Sequence, residues 1–271
     1  MTDSHSLNPE DLPESLQEKR TPSEGESNAV LLSNITQDTH LITPVILIGA
    51  SALIPVPFLD DIAKSFLEKY LFKLLAQREG IELTKEETDH LTHTPKKGCC
   101  ALGCLGSAFL YPLKKILRKL FFFLEVKRSV DQATTALAQA WLFQISLKSG
   151  LWGPGQDIKT SDDVRKAIAK ACKSQGVKPL EAAVSHAFRG AKGTLSDLAF
   201  KFTKKDGANE QEMAKTVDSV ESEGKEAIAG LTQKLSDSLA QMSDSHFDGL
   251  IVAYRQALEE ERSAPSEESL A

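Results

Sequence analysis

The chain shows no β-strand pattern, no glycine-rich phosphate loop and no second cysteine pair of the sort zinc sites use, over 271 residues. Without strands, a phosphate loop has no strand–loop–helix context to sit in, so nucleotide-binding folds of that kind are excluded. Four cysteines do not make a disulfide framework. Cys99, Cys100 and Cys104 crowd together at spacings that bond poorly to one another, and a chain of this length folds without staples. A basic start followed by an early apolar run, the mark of a signal peptide, is missing from the polar, acidic first forty residues. These absences point to a reducing, cytoplasmic setting, with the inner face of a membrane as the place to look for a surface.

Excess apolar composition is missing too. Hydrophobic residues make up 41% and charged residues 26%, ordinary values that argue against a polytopic membrane protein. The net charge of −6 conceals an asymmetry. Residues 1–40 hold eight acids against Lys19 and Arg20, and residues 256–271 hold five against Arg262, so the interior 41–255 is +4. Residues 1–28 lack apolar periodicity and read as a disordered acidic tail, as do residues 263–271.

What is present is a repeated unit: a short charge-free apolar run that ends in proline and flows into an amphipathic helix. The first run, Leu41 to Leu59, has nineteen residues without charge. A membrane span needs about 20 apolar residues, but Pro55 and Pro57 end the helix near Ile54. About ten helical residues remain after Pro44 in the first turn, enough for a buried or re-entrant segment. Asp60 or Asp61 then caps a helix whose stripe is Ile62, Ala63, Phe66, Leu67, Tyr70, Leu71, Leu74 and Leu75, with Gly80 as its stop. Thr84-Lys85-Glu86-Glu87 matches a capping box for a short helix to about Leu91. The second run, residues 98–113, carries small residues four apart that permit close helix approach. Pro112 opens the next helix, which the apolar pattern carries to Lys148, before Gly150.

Gly153-Pro154-Gly155 marks a linker and divides an apolar and basic helical domain, 29–152, from an amphipathic helical region, 157–262. In the second region, helices are expected from Asp162 to Lys173 capped by Ser161, from Pro179 to Thr203, from Glu210 to Met242 and from Asp244 to Arg262. The third has coiled-coil-like spacing at Val220, Ile228, Leu231, Leu235, Leu239 and Met242. The fold class is all-α: apolar helical hairpins plus long amphipathic helices, with disordered acidic termini.

The strongest functional signal is basic. From Lys96 to Arg128, eight cations face Glu125 alone, a net of +7. Lys114, Lys115, Arg118 and Lys119 gather on one side, and Phe121 and Phe123 belong to the apolar side. Such a helix beside an apolar hairpin suits an anionic membrane surface. The competing reading is a core helix with a solvated basic face. Nucleic acid is the weaker partner because the cluster is narrow and the whole chain is acidic. His90, His93, Cys99, Cys100 and Cys104 are metal-ligand types without metal-site spacing, and buried cysteine is commonly a small hydrophobe. Asp60 and Asp61 are adjacent on a helix and so do not face each other as a catalytic pair. Cys172, His186 and Asp197 have no spacing that supports a thiol triad. No cofactor and no catalytic constellation are expected.

The stretch Ala52-Leu53-Ile54-Pro55-Val56-Pro57-Phe58-Leu59-Asp60-Asp61 resembles the apolar hairpin turn of bacterial helical proteins of the EcsC-like and YcjF-like kind. Tyr111-Pro112-Leu113-Lys114-Lys115-Ile116 and Phe121 to Lys127 are similar to stretches of hypothetical bacterial proteins. The likeness covers residues 41–128 and implies an all-helical, membrane-associated bacterial protein, without assigning any catalytic residue. The expected function is therefore a non-enzymatic, membrane-associated scaffold or regulator. Two alternatives stand beside it: an all-α interaction module whose helices 210–262 meet a protein partner, and a metal or redox protein built on the cysteine cluster.

Overall fold

The computed structural model describes residues 35–54, 59–92, 118–156, 158–203, 210–242 and 244–264. The all-α expectation is met: every regular element among these residues is a helix. In chain order they are α1 (Thr39–Ser51), α2 (Leu59–Arg78), α3 (Lys85–Thr92), α4 (Arg118–Lys148) and α5 (Ile158–Gln175), then α6 (Lys178–Phe188), α7 (Lys192–Thr203), α8 (Glu210–Glu223), α9 (Lys225–Leu239) and α10 (Asp244–Ser263). Residues 1–34 and 265–271, which include most of both acidic tails, lie outside the described residues, as do Pro55, Pro57 and Pro112.

α1 is the centre. Its side chains are apolar nearly all round, which leaves no face for water and forces burial on every side. Leu41, Ile42, Val45, Ile46, Leu47, Ile48 and Ala50 are each no more than 2% exposed. The cover comes from α2, α4, α7, α8 and α9. The Asp38 carboxylate accepts from the backbone N–H of His40 at 2.9 Å and caps its start. Pro44 sits in the second turn rather than the first. It donates no hydrogen bond there, and the helix continues through it to Ser51.

α4 comes close to α1 at Gly49. A β-carbon at that position would stand 2.9 Å from Ala133 Cβ, 2.9 Å from Phe188 Cε2 and 3.0 Å from the Ser129 carbonyl oxygen. Hydrogen is the largest substituent the contact admits. Thirty-one residues long, α4 also meets α2, α5 and α6. At about 1.5 Å per residue it runs about 46 Å. Trp141 and Trp152 pack in its neighbourhood, Trp141 edge-on to Phe247 at 5.2 Å and Trp152 against Phe143 at 5.7 Å.

Local signals in the sequence explain most boundaries. Gly80 and Gly150 take φ +73° and +65°, and each is followed by a bond from the next N–H back to the helix, Ile81 to Ala76 and Leu151 to Ser146. The capping box forms in full. Thr84 N–H and Oγ1–H both donate to Glu87 Oε2 at 2.8 Å, and Glu87 N–H donates to Thr84 Oγ1 at 3.1 Å. Burial pushes the Glu87 carboxyl up, but these bonds and one from Gly155 N–H outweigh it and hold it below the usual range.

Other boundaries differ. α2 starts at Leu59, so Asp60 and Asp61 lie inside its first turn rather than capping it. α5 starts at Ile158, which places Ser161 within the helix, where its hydroxyl accepts from the Trp152 indole N–H at 3.1 Å. The helix expected over Pro179–Thr203 is divided at Gly190, and the one over Glu210–Met242 at Gly224. On α2 the buried line is Ala63, Leu67, Leu71, Phe72, Leu75 and Ala76. Ile62 is 43% exposed, so the stripe lies one position round from the expected one.

Helices on both sides of Gly153-Pro154-Gly155 share one hydrophobic cluster. α5 and α10 form the most extensive helix pair, α9 lies along α6, and α7 and α9 both reach α1. Phe247, Leu250, Ile251, Tyr254 and Leu258 are buried, as their spacing anticipates. The Tyr254 hydroxyl shares a 2.6 Å hydrogen bond with Ser146 Oγ. Burial pushes that phenol up to about 12, against the opposing pull of Ser146 and Arg262.

Two glycine substitutions separate close packing from helix propensity. Gly49→Ala is expected to destabilise the fold by about 1–2 kcal/mol, since overpacking of about 1–3 kcal/mol exceeds the propensity gain of up to about 1 kcal/mol. Gly230→Ala, on α9 with nothing near the added carbon, is expected to stabilise it by about 0.5–1 kcal/mol. Urea unfolding of the two variants reads both signs; a Gly49→Ala protein as stable as wild type contradicts the close approach.

Candidate functional site

Two regions hold the polar chemistry that the core does not absorb. The first is the entry into α4. Arg118, Lys119, Phe121 and Phe123 lie in its first two turns, where the helix backbone is described and the side chains are not. Lys114 and Lys115 lie outside the described residues, as do His93, Cys99, Cys100 and Cys104. From Glu125 onward the side chains are placed. Arg128 Nη2 donates to Asp60 Oδ2 at 2.8 Å and stands 3.7 Å from Asp61 Oδ1, so the acidic first turn of α2 binds a cation from the basic end of α4. Arg128, its side chain half exposed, is thereby paired at the surface of the bundle rather than left as a free cation. Glu125 stands 3.9 Å from Lys192 of α7.

A polar junction lies at the end of α3. The His90 carbonyl oxygen accepts from Arg165 Nε at 3.0 Å, and Arg165 Nη2 donates to Asp162 at 3.2 Å. The His90 ring lies 3.4 Å from that same aspartate. His90 therefore has a structural occupation. No group of three or more metal-ligand side chains gathers among the described residues.

The second region is a cleft of about 840 Å³ where the starts of α1 and α9 meet the ends of α2 and α8. Gln37, Asp38, His40, Arg78, Asp218, Glu221, Ser222 and Lys225 line it. Arg78 Nη1 donates to Asp38 Oδ2 at 3.1 Å, and His40 Nδ1 lies 2.9 Å from Glu221 Oε2. Glu221 is the least exposed of the charged groups, at 15% of its side chain, and its other oxygen, Oε1, is buried with no hydrogen-bond partner among the described residues. Burial pushes its carboxyl up; the His40 contact opposes this, and the charges of Asp218 and Asp38 add to it. The nearby Tyr70 phenol is pushed up by burial and by Glu221 and Asp218. Sequence reading did not find this cleft, because its residues come from four helix ends up to 188 positions apart (37 to 225) and no two belong to one motif.

The remaining candidates have structural roles. Cys172 lies on α5, while His186 on α6 has its Nδ1 2.9 Å from Ser238 Oγ, so a thiol–imidazole pair is not formed. The coiled-coil-like positions of residues 210–242 are turned inward: Val220, Ile228, Leu231, Leu235 and Leu239 are buried and Met242 is partly so. No helix among the described residues is long and apolar enough to cross a membrane. No family model, curated protein or solved structure matches the chain.

Burial pushes the Cys172 thiol up to about 11. At pH 8 about one in a thousand such thiols is ionised, compared with about one in ten at the ordinary value, so alkylation of Cys172 should run at least about a hundredfold slower than that of free cysteine. Iodoacetamide labelling of a Cys99→Ser/Cys100→Ser/Cys104→Ser variant measures it; labelling at the free-cysteine rate contradicts the burial.

Proposed function

We propose that the chain is a non-enzymatic helical scaffold that meets an anionic membrane surface through residues 96–128, at the cytoplasmic face. The observation that carries this reading is a division of labour between the two proline-terminated apolar runs. The first, as α1, is enclosed on all sides by other helices and needs no lipid. The second, residues 98–113, is free of charge and flanked by Lys96, Lys97, Lys114, Lys115, Arg118 and Lys119. Cations beside an apolar segment at an anionic surface are worth about 1 kcal/mol each. Arg128 is engaged by Asp60, which leaves the more N-terminal cations as the contact set. The likeness to EcsC-like and YcjF-like bacterial proteins, carried by residues 41–128, accords with this assignment.

An all-α interaction module is the second reading. It is favoured by the completeness of the core, in which only Ile62, Phe200 and Val252 are large hydrophobic side chains exposed among the described residues. Because the apolar faces of α8, α9 and α10 are occupied internally, a protein partner would have to use polar surface or the residues outside this core.

Sedimentation with vesicles separates the two. The full chain should pellet with phosphatidylserine-containing vesicles at low salt, remain in the supernatant with pure phosphatidylcholine, and be released at high salt. A Lys114→Gln/Lys115→Gln/Arg118→Gln/Lys119→Gln variant should bind at least about a hundredfold more weakly, since up to about 4 kcal/mol is removed. A chain that stays in the supernatant with both vesicle types overturns the membrane reading and leaves the interaction module.

A further inference from the structure

The cleft at the α1, α2, α8 and α9 ends is not needed by the membrane reading, and its chemistry is of another kind. Its volume of about 840 Å³ falls in the range of small-molecule sites, about 300–1,000 Å³. Its lining mixes three carboxylates with Arg78, Lys225 and His40. Internal pairs satisfy part of this set: Asp38 holds Arg78, and His40 holds one oxygen of Glu221. What remains unmatched has both signs. Glu221 Oε1 is buried and unpartnered, which is a costly state for a carboxylate oxygen. Asp218 lies in the same electrostatic neighbourhood, since its charge acts on both Glu221 and Tyr70. Lys225, at the start of α9, makes no ion pair with another described residue.

Each simple ligand class fails one half of that lining. A phosphate or other anion would meet Asp218 and Glu221. A divalent cation would meet Arg78 and Lys225 beside its carboxylate ligands. A molecule with both charges meets neither objection. We propose that the cleft binds a small zwitterion of the amino-acid class. Its ammonium group is held by Asp218, with the negative charge of the Glu221 carboxylate behind it, and its carboxylate is held by Lys225. Gln37 and Ser222 supply neutral polar lining, and Arg78, fixed by Asp38, contributes positive potential behind the carboxylate. The ammonium charge offsets the Glu221 carboxylate, so binding should be strongest where Glu221 is ionised. The site joins the ends of four helices, so occupancy would tie α8 and α9 to α1 and α2.

The test uses the full chain with the twenty common amino acids, each titrated in thermal-shift and calorimetric assays. Ethylamine and propionate serve as single-charge fragments. At least one amino acid should raise Tm saturably, bind with one-to-one stoichiometry and a Kd below about 1 mM, and bind at least about tenfold more tightly than either fragment. Lys225→Met, at an exposed position, and Glu221→Gln should each weaken binding at least about tenfold, with unchanged far-UV circular dichroism. If Glu221→Gln does not fold, Lys225→Met alone decides. Absence of binding by every amino acid overturns the proposal, as does binding that survives Lys225→Met. Equal binding of ethylamine overturns the zwitterion assignment in favour of a plain cation site. None of these readouts depends on vesicles.

Discussion

The enclosure of α1 is the constraint on which the rest of the structure depends. A thirteen-residue helix with no polar face cannot lie at a surface, and one this short cannot span a bilayer. It is stable only if other helices cover every side, and five of them do. The close approach at Gly49 admits no side chain between α1 and α4, and α4 in turn meets α5 and α6. The long helix thus transmits the position of one buried segment to the second half of the chain. Gly153-Pro154-Gly155 turns the chain without separating two cores, because α7 and α9 return to α1.

That arrangement also decides where polar groups can act. A core saturated with aliphatic side chains leaves charge to the helix ends, and the helix ends meet in two places. At one, the acidic first turn of α2 pairs with Arg128, in the third turn of α4, at the surface of the bundle. At the other, four ends converge on a cleft whose internal ion pairs are incomplete. The membrane reading rests on the cations N-terminal to Arg128, which the pair with Asp60 leaves over, and the ligand reading on the cleft. They can fail separately, since one concerns long-range attraction screened by salt and the other short-range contacts in an open cleft.

Much of the fold was legible in local sequence. The capping box at Thr84–Glu87, the stops at Gly80 and Gly150, and the buried line Phe247, Leu250, Ile251, Tyr254 and Leu258 all follow from spacing and residue type. The helix breaks at Gly190 and Gly224 were not legible, because a glycine inside an apolar period can either be tolerated or end the helix, and tertiary packing chooses. The face of α2 was read one position off for a similar reason. Ile62 and Phe72 are equally apolar, and only the placement of α1 and α4 decides which one is covered. The site was less legible than the fold. Asp60 and Asp61 were visible as an acidic start, but their partner Arg128 lies 68 positions away in the sequence for Asp60. The cleft assembles residues that no spacing rule connects.

Amide hydrogen exchange across α1 tests the central claim most directly. If α1 is the core of the bundle, the amides from Val45 to Gly49 exchange only through global unfolding, belong to the slowest class in the chain, and remain so when anionic vesicles are added. Exchange of these amides as fast as those at the ends of α10, or their deprotection on vesicles, would show that the segment leaves the bundle and would contradict the account.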